Sequence, residues 1–327
     1  MNQPEASKES YLSELIRALV EGDRRSLART LSILELGGPL ADLALRQIAS
    51  SRRSGQAPSY TLGVTGSPGS GKSTLVDALV AHARLRDERV AVVAVDPSSP
   101  LTGGAILGDR VRMRQSNASD DDVYMRSIAA RGALGGLATV VPGAVRTLSA
   151  AGWPKIIIET VGVGQSEVAV AAQADTTVVV VNPDSGDEVQ ANKAGLLEMA
   201  DIFVVNKADR EGSEITVRNL RAMLHMSPRR EWTVPVLRTT ATEDDGIDVV
   251  WDVVALHREH LQNSGEGRER TANRLRAEIE ERVAARLRSK ILDYESSTDG
   301  RVLFAQVESG ELDPVSAAER MIGSLES

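Results

Sequence analysis

The fold of this chain is decided by Gly66-Ser67-Pro68-Gly69-Ser70-Gly71-Lys72-Ser73, which fits the Gly-x4-Gly-Lys-Ser/Thr phosphate-loop pattern in full. An apolar run over residues 60–65 predicts a buried strand that enters this loop, and residues 73–80 predict an amphipathic helix that leaves it. In such a loop, backbone N–H groups turn inward around a phosphate, and the start of the helix adds partial positive charge. The stretch therefore predicts a nucleotide-binding loop between the first strand of a sheet and the following helix.

The residues of this loop have distinct expected roles. Lys72 is expected to reach the β- and γ-phosphates, and the Ser73 hydroxyl is expected to bind Mg²⁺. A Gly/Ser-rich turn that matches by chance is the alternative, but the flanking strand and helix argue against it. The remaining phosphate-side contacts are assigned to Gly66, Ser67, Pro68, Gly69, Ser70, Gly71 and Thr74.

A second motif indicates which base is bound. A buried strand over residues 201–205 runs into Asn206-Lys207-Ala208-Asp209, the Asn-Lys-x-Asp pattern of GTPases. The Asp209 carboxylate can accept hydrogen bonds from N1–H and the 2-amino group of guanine; adenine lacks both donors, and a buried carboxylate left unpaired costs about 1–3 kcal/mol. Asn206 is expected to brace the loop, and the Lys207 stem to pack on the purine. Alone, the tetrapeptide also fits a solvated turn, but after a phosphate loop it predicts GTP.

Acidic residues for the phosphate chemistry follow two predicted strands. Glu159 has the position of a Walker B acid that holds Mg²⁺ through water, and Gly162 that of a switch glycine whose N–H meets the γ-phosphate. Asp96 closes the second strand and is expected to bind Mg²⁺ or to orient the attacking water. Asp109 is a further metal candidate, with helix capping as its alternative. No catalytic glutamine or arginine finger can be assigned, so slow turnover is expected.

The composition excludes several classes of protein. The chain has 327 residues, a net charge of −8 and no cysteine. Its length suits one large α/β core with appended helices, and its negative charge argues against a nucleic-acid partner. Thiolate metal sites and cysteine catalysis are excluded, and no apolar run approaches the roughly 20 residues of a membrane span. Without a signal-peptide core near the N-terminus, a cytoplasmic protein with no membrane partner is expected.

Strands and helices alternate through the middle of the chain. This pattern predicts an α/β fold, a P-loop NTPase with a mainly parallel, doubly wound sheet. The predicted strands cover residues 60–65, 89–96, 123–128, 155–159, 176–181, 201–206 and 234–238.

Helical segments flank this predicted sheet. Three short helices over residues 11–53 form an N-terminal helical arm, preceded by residues 1–9, which are expected to be disordered. A charged helix over residues 268–292 and a short one over 315–325 form a C-terminal extension. The long helix has an apolar stripe that is expected to be buried: Leu275, Ile279, Val283 and Leu287. The predicted domains are 1–55, 56–263 and 264–327.

Four motifs together resemble the MeaB/ArgK family of P-loop GTPases. They are the phosphate loop, Val-Asp-Pro-Ser-Ser-Pro at 95–100, Glu-Thr-Val-Gly-Val-Gly-Gln-Ser-Glu at 159–167, and Asn-Lys-Ala-Asp at 206–209. The resemblance covers almost the whole chain. It implies a chaperone of adenosylcobalamin-dependent methylmalonyl-CoA mutase, which assists assembly, gates cofactor loading and protects the enzyme through hydrolysis of GTP to GDP. It also implies a homodimer joined through the C-terminal helices.

The resemblance suggests a further mobile element, and the base-side loop departs from the usual pattern. Residues 184–193 are similar to the family's extra switch, with Asp187, Gln190 and Lys193 as polar candidates; an exposed loop is the alternative. The loop behind guanine usually contains Ser-Ala, and here it contains Thr240-Ala241. Thr240 keeps a hydroxyl, and the Ala241 N–H is expected to meet guanine O6.

Three other functions are alternatives to that of a mutase chaperone. A metal-insertion GTPase needs Cys or His ligands, but the chain has no cysteine and its four histidines form no cluster; His257 and His260 are expected at the surface. A kinase of amino-acid transport proteins, a name this family has carried, fits the guanine motif less well. A pure interaction module with a dead nucleotide site disagrees with intact Lys72, Ser73 and Glu159.

Overall fold

A computed structural model describes residues 3–51, 58–97, 120–130, 135–160, 173–183, 197–227 and 231–326. Its strands are β1 (Tyr60–Gly66), β2 (Val90–Pro97), β3 (Val123–Ala130), β4 (Lys155–Thr160), β5 (Thr176–Val181), β6 (Ile202–Asn206) and β7 (Val236–Thr239). They form one sheet in the order β3-β2-β4-β1-β5-β6-β7, with every neighbouring pair parallel. The predicted α/β fold and its parallel sheet are confirmed.

Helices cover both faces of this sheet. The helices of the described residues are α1 (Gln3–Val20), α2 (Arg24–Leu36), α3 (Gly38–Ser50), α4 (Lys72–Leu85), α5 (Gly135–Ala150), α6 (Ser213–Met226), α7 (Ile247–Ser264), α8 (Glu266–Ser296), α9 (Thr298–Glu308) and α10 (Pro314–Glu326), of which those before α8 cover the sheet. Because both faces are covered, the central strands are continuously apolar rather than alternating, as in the fully buried run Thr-Thr-Val-Val-Val-Val of β5. The sheet is therefore doubly wound, as predicted.

The N-terminal helices share a core with the sheet. Leu19 of α1, Leu31 of α2 and Ile48 of α3 lie in one buried cluster with apolar residues of β2 and β4. An ion pair of 2.6 Å between Arg126 of β3 and Glu35 of α2 adds a polar contact. The expected disorder of residues 1–9 is wrong for residues 3–9, because α1 begins at Gln3 and continues without a break into the buried stripe.

The chain divides into two compact units, residues 1–274 and 275–327. In the second unit, α9 was not predicted; its N-cap Ser297 accepts a hydrogen bond from the Gly300 N–H. The apolar stripe on α8 is not buried within the single chain, since Leu275, Ile279, Val283 and Leu287 are 51%, 62%, 54% and 48% exposed. Within the described ranges, no helix combines the length and apolar character needed to cross a bilayer.

Candidate nucleotide-binding site

The phosphate loop lies at the carboxyl end of β1, between β4 and β5, where the winding of the sheet reverses. Two of its glycines are required by close packing. Gly66 has φ of 137°, and a Cβ there would overlap the Val180 carbonyl oxygen of β5. Gly71 has φ of 90°, and a Cβ there would overlap the Asn206 side chain. The neighbouring strands thus leave room for the loop backbone and for no side chain at either position.

Lys72 is folded onto its own loop. Its ammonium group donates to the Gly66 carbonyl at 2.5 Å and to the Ser67 carbonyl at 2.9 Å, and the side chain is buried. The N-cap of α4 is Gly71, which has no side chain that could satisfy the first N–H groups of the helix. The loop therefore combines a buried lysine with a helix start whose N–H groups no cap side chain satisfies, and both features suit an anionic ligand.

The Ser73 hydroxyl donates to Oε1 of Glu159, which joins the first turn of α4 to the end of β4. Glu159 is 1% exposed. A hydroxyl and a carboxylate are the oxygen ligands that Mg²⁺ prefers, so these two side chains fit that ion. The Asp96 backbone lies in β2, the strand next to β4, close to the same edge of the sheet.

The Asn206 side chain connects the phosphate loop with the loop after β7. Its Nδ2 donates to the Ser70 carbonyl at 2.9 Å, and its Oδ1 accepts from Thr239 Oγ1 at 3.1 Å and from the Ala241 N–H at 3.2 Å. The side chain is 2% exposed. The N–H that the sequence assigns to guanine O6 is thus already a donor to Asn206, an arrangement that sequence reasoning did not anticipate.

The remaining base-side residues lie beside Asn206. Lys207 adopts φ of 59°, and its ammonium group donates to the Gly69 carbonyl at 2.7 Å. Asp209 is exposed, with its side chain on the turn after β6. Thr240 is buried, and its N–H donates to the Asp245 carbonyl at 3.1 Å. The phosphate loop and the base-side motif are therefore in direct contact, although 135 residues separate Gly71 from Asn206.

Several predicted residues lie outside the described residues: Asp109, Gly162, Asp187, Gln190 and Lys193. Their roles stay predictions. One residue near the loop was missed by sequence reasoning. Asn182 directly follows β5, is 7% exposed, and its Nδ2 lies 3.4 Å from the Gly69 carbonyl oxygen. A polar residue at the end of a buried strand was the signal that located Glu159, and it would have located Asn182 as well.

A buried polar cluster lies at the amino ends of β5 and β6, which is the end of the strands opposite to the phosphate loop. His257 is 0% exposed, so its expected surface position is wrong. Its Nδ1 lies 2.5 Å from Thr176 Oγ1, and its Nε2 lies 3.5 Å from Asp201 Oδ1. Asp201 in turn is held by Arg270, whose two terminal nitrogens lie 2.8 and 2.9 Å from its carboxylate oxygens. Burial lowers the pKa of His257 below its ordinary value.

A phosphate loop at the central switch point, an acid beside it and an Asn-Lys-x-Asp turn behind it define a P-loop GTPase. A family model described as "Methylmalonyl Co-A mutase-associated GTPase MeaB" matches residues 27–296. The chain therefore belongs to the MeaB family of GTPases.

Individual relatives agree with this assignment. A protein of Pyrococcus abyssi is 42% identical over 315 residues, which cover 95% of this chain and 96% of that protein. The mouse protein named methylmalonic aciduria type A homolog, mitochondrial, is 34% identical over 274 residues, covering 79% and 66% of the two chains. The crystal structure of an LAO/AO transport system kinase is similar with a TM-score of 0.68 and 26% identity, covering 100% and 99% of the two chains.

Proposed function

We propose that this GTPase is a chaperone of adenosylcobalamin-dependent methylmalonyl-CoA mutase, which it assists in assembly and cofactor loading and protects from inactivation. The observation that carries the proposal is the family match over residues 27–296, since the family is described by its association with that mutase. The name of the mouse relative, which refers to methylmalonic aciduria, points to the same metabolic step. Binding and hydrolysis of GTP are the switch between the two states of the chaperone.

The phosphate side of the site binds the triphosphate of GTP. Lys72 exchanges its contacts with the Gly66 and Ser67 carbonyls for oxygens of the β- and γ-phosphates. The glycine-capped start of α4 contributes its N–H groups to the same oxygens. These donors stabilise the charge that develops as water attacks the γ-phosphorus and GDP leaves.

The residues that would hold Mg²⁺ are Ser73 and Glu159, with Asp96 and Asp109 as further candidates from the sequence. The bound ion would neutralise charge on the β- and γ-phosphate oxygens. Alternatively, Asp96 orients the attacking water. The Gly162 N–H binds the γ-phosphate, and its release on hydrolysis lets the segment after Gly162 change conformation. In this account Asp187, Gln190 and Lys193 relay the nucleotide state to the mutase.

On the base side, Asp209 accepts hydrogen bonds from guanine N1–H and the 2-amino group, and the Lys207 stem covers the purine. Asn206 fixes the distance between this base pocket and the phosphate loop. The Ala241 N–H donates to Asn206 Oδ1 at 3.2 Å, at the long end of the usual range for a hydrogen bond. The same N–H can therefore also donate to guanine O6.

We further propose that the protein is a homodimer joined through its C-terminal helices. The stripe of Leu275, Ile279, Val283 and Leu287 recurs every four residues on one side of α8 and is about half exposed or more in the single chain. Charged residues occupy much of the rest of this helix. An apolar stripe of this length on a charged helix is typical of a helix–helix interface.

Protection of the mutase tests the chaperone function directly. Purified mutase with adenosylcobalamin is incubated during turnover, alone or with this protein and GTP, and its loss of activity is followed. We expect slower inactivation in the presence of the protein, and less protection from a Lys72→Ala variant. Equal inactivation rates with and without the protein would contradict the proposal.

A second candidate function is a kinase, because the similar solved structure is named a transport system kinase. The two functions differ in where the γ-phosphate goes. With GTP labelled at that phosphate, a chaperone GTPase releases all label as inorganic phosphate. Label retained on a partner protein would favour the kinase.

A further inference from the structure

Asp209 lies on the turn of residues 207–210. Hydrogen bonds made by the preceding residue, Ala208, hold this turn in place. The Ala208 N–H donates to the Thr239 carbonyl of β7 at 3.0 Å. The Ala208 carbonyl accepts two hydrogen bonds, from Ser213 Oγ at 3.1 Å and from Arg238 Nη2 at 3.2 Å. Both peptide groups of Ala208 are therefore fixed, and one of them is the amide that begins Asp209.

The two donors to this carbonyl support each other. Arg238 Nη2 also donates to Ser213 Oγ at 3.2 Å, so the hydroxyl accepts one hydrogen bond and donates another. Ser213 is the first residue of α6 and is 3% exposed, whereas Arg238 lies on the edge strand β7. Oε1 of Glu214 lies 3.7 Å from the other terminal nitrogen of the Arg238 guanidinium. Three separate elements thus meet at one carbonyl oxygen.

The turn needs such support because its backbone is strained. Lys207 has φ of 59°, in the left-handed region that a residue with a side chain adopts at a cost of about 1 kcal/mol or more. Such a conformation persists where the surroundings over-determine it. Asp209 itself is exposed, so its direction is set by the backbone of the turn rather than by packing around its side chain.

We propose that Arg238 and Ser213 are positioning residues for guanine recognition. By fixing the Ala208 carbonyl, they hold the Asp209 carboxylate where it meets N1–H and the 2-amino group of guanine together. This inference rests on the proposed role of Asp209 in binding the base. It adds two residues that belong to no nucleotide-binding motif.

The test compares GDP with inosine diphosphate, which lacks the 2-amino group. Arg238→Met and Ser213→Ala each remove a donor to Ala208 while keeping much of the side-chain volume. We expect GDP affinity to fall about tenfold and inosine diphosphate affinity by about threefold or less, because the second hydrogen bond to Asp209 is the one that misalignment breaks. The preference for GDP therefore shrinks, while kcat at saturating GTP changes little.

Conservative variants and a matched control separate positioning from general destabilisation. Ser213→Thr and Arg238→Lys keep a donor and should restore part of the GDP preference. Arg221→Met is the control, since Arg221 lies on the same helix and contacts the same edge strand, at the Val236 carbonyl, 3.5 Å away. It should leave the preference unchanged. Thermal melting of each variant confirms that it is folded.

Failure of this inference can be told apart from failure of the base assignment. If Asp209→Asn shifts preference from GTP to xanthosine triphosphate, Asp209 binds the base. A wild-type ratio of GDP to inosine diphosphate affinity in both Arg238→Met and Ser213→Ala would then overturn the positioning role alone. If Asp209→Asn leaves GTP affinity unchanged, the base assignment itself falls, and the positioning role with it.

Discussion

Asn206 Nδ2 lies 2.9 Å from the carbonyl oxygen of Ser70, so the Asn-Lys-x-Asp turn is hydrogen-bonded directly to the phosphate loop. The same side chain accepts the Thr239 hydroxyl and the Ala241 N–H. Three segments that are far apart in sequence are therefore brought to one amide group. Because this amide is buried and both of its ends are hydrogen-bonded, it connects the phosphate loop to the loop after β7.

Replacing Asn206 with alanine should weaken both folding and nucleotide binding. The substitution leaves the Ser70 carbonyl, the Thr239 hydroxyl and the Ala241 N–H without their partner in a buried place. We expect the free energy of unfolding to fall by about 2–4 kcal/mol, measured by urea denaturation, and GTP affinity to fall with it. Asn219→Ala on the exposed side of α6 is the control and should change stability by about 0.5 kcal/mol or less. Unchanged GTP affinity in Asn206→Ala would contradict the bracing role.

Glu159→Gln should separate chemistry from folding. The amide oxygen can still accept the Ser73 hydrogen bond, so the fold should survive, but the negative charge that would help to hold Mg²⁺ is lost. GTP turnover at saturating substrate should fall on the order of 100-fold. The control Glu231→Gln changes an exposed residue and should behave as the wild type. Wild-type turnover in Glu159→Gln would exclude this glutamate from the chemistry.

The buried histidine predicts how stability depends on pH. The pKa of His257 lies below its ordinary value of 6.5 because burial disfavours the imidazolium. The unfolded chain therefore binds this proton first as the pH falls. The stability that the neutral ring contributes is complete above about pH 6.5 and is lost as the pH drops toward the folded-state pKa. Around the ring, Asp201 and Glu266 oppose the shift, whereas Arg270 and His260 reinforce it.

Urea midpoints measured from about pH 8 to about pH 5.5 check this dependence. The wild type should lose stability over the acid part of the range, and His257→Gln should show a flatter profile even if it is less stable throughout. His225→Gln, at an exposed position, serves as the control and should keep the wild-type slope. A His257→Gln profile parallel to that of the wild type would rule out this ring as the source.

The proposed dimer interface can be tested by introducing negative charge. Ile279→Glu combined with Val283→Glu alters side chains that are 62% and 54% exposed in the single chain, so each chain should still fold. We expect a dimer for the wild type and a monomer for the double variant in analytical ultracentrifugation. Ala277→Glu combined with Ala285→Glu adds the same charge on the other side of α8 and should remain dimeric. A monomeric wild type would contradict the interface.

The sequence predicted those parts of the molecule whose signal is local. The phosphate loop, the strands of valine and isoleucine and the Asn-Lys-x-Asp turn are contiguous patterns, so their elements and their meeting at one edge of the sheet could be predicted. The helix α9 was missed, because Gly300 near its start argues against a helix. The structure needs glycine there, since a Cβ would overlap the Tyr294 carbonyl oxygen.

Contacts between distant residues could not be predicted from one sequence. His257 was expected at the surface because the histidines form no convincing site in the sequence, yet Asp201, which precedes β6, lies 3.5 Å from its Nε2. Arg238 and Ser213 both donate to a backbone carbonyl, that of Ala208. Because every residue has such a carbonyl, no sequence motif marks this contact. The hydrogen bond from the Ala241 N–H to Asn206 Oδ1 is a further contact of this kind, since it joins residues 35 positions apart.

The most direct test of the whole account is the rate of GTP and ATP hydrolysis by the purified protein, with and without methylmalonyl-CoA mutase. We expect slow turnover that is selective for GTP and rises sharply when the mutase is added. GTP turnover that does not respond to the mutase would contradict the chaperone function and leave only the GTPase. Equal turnover of ATP and GTP would contradict the nucleotide site as described.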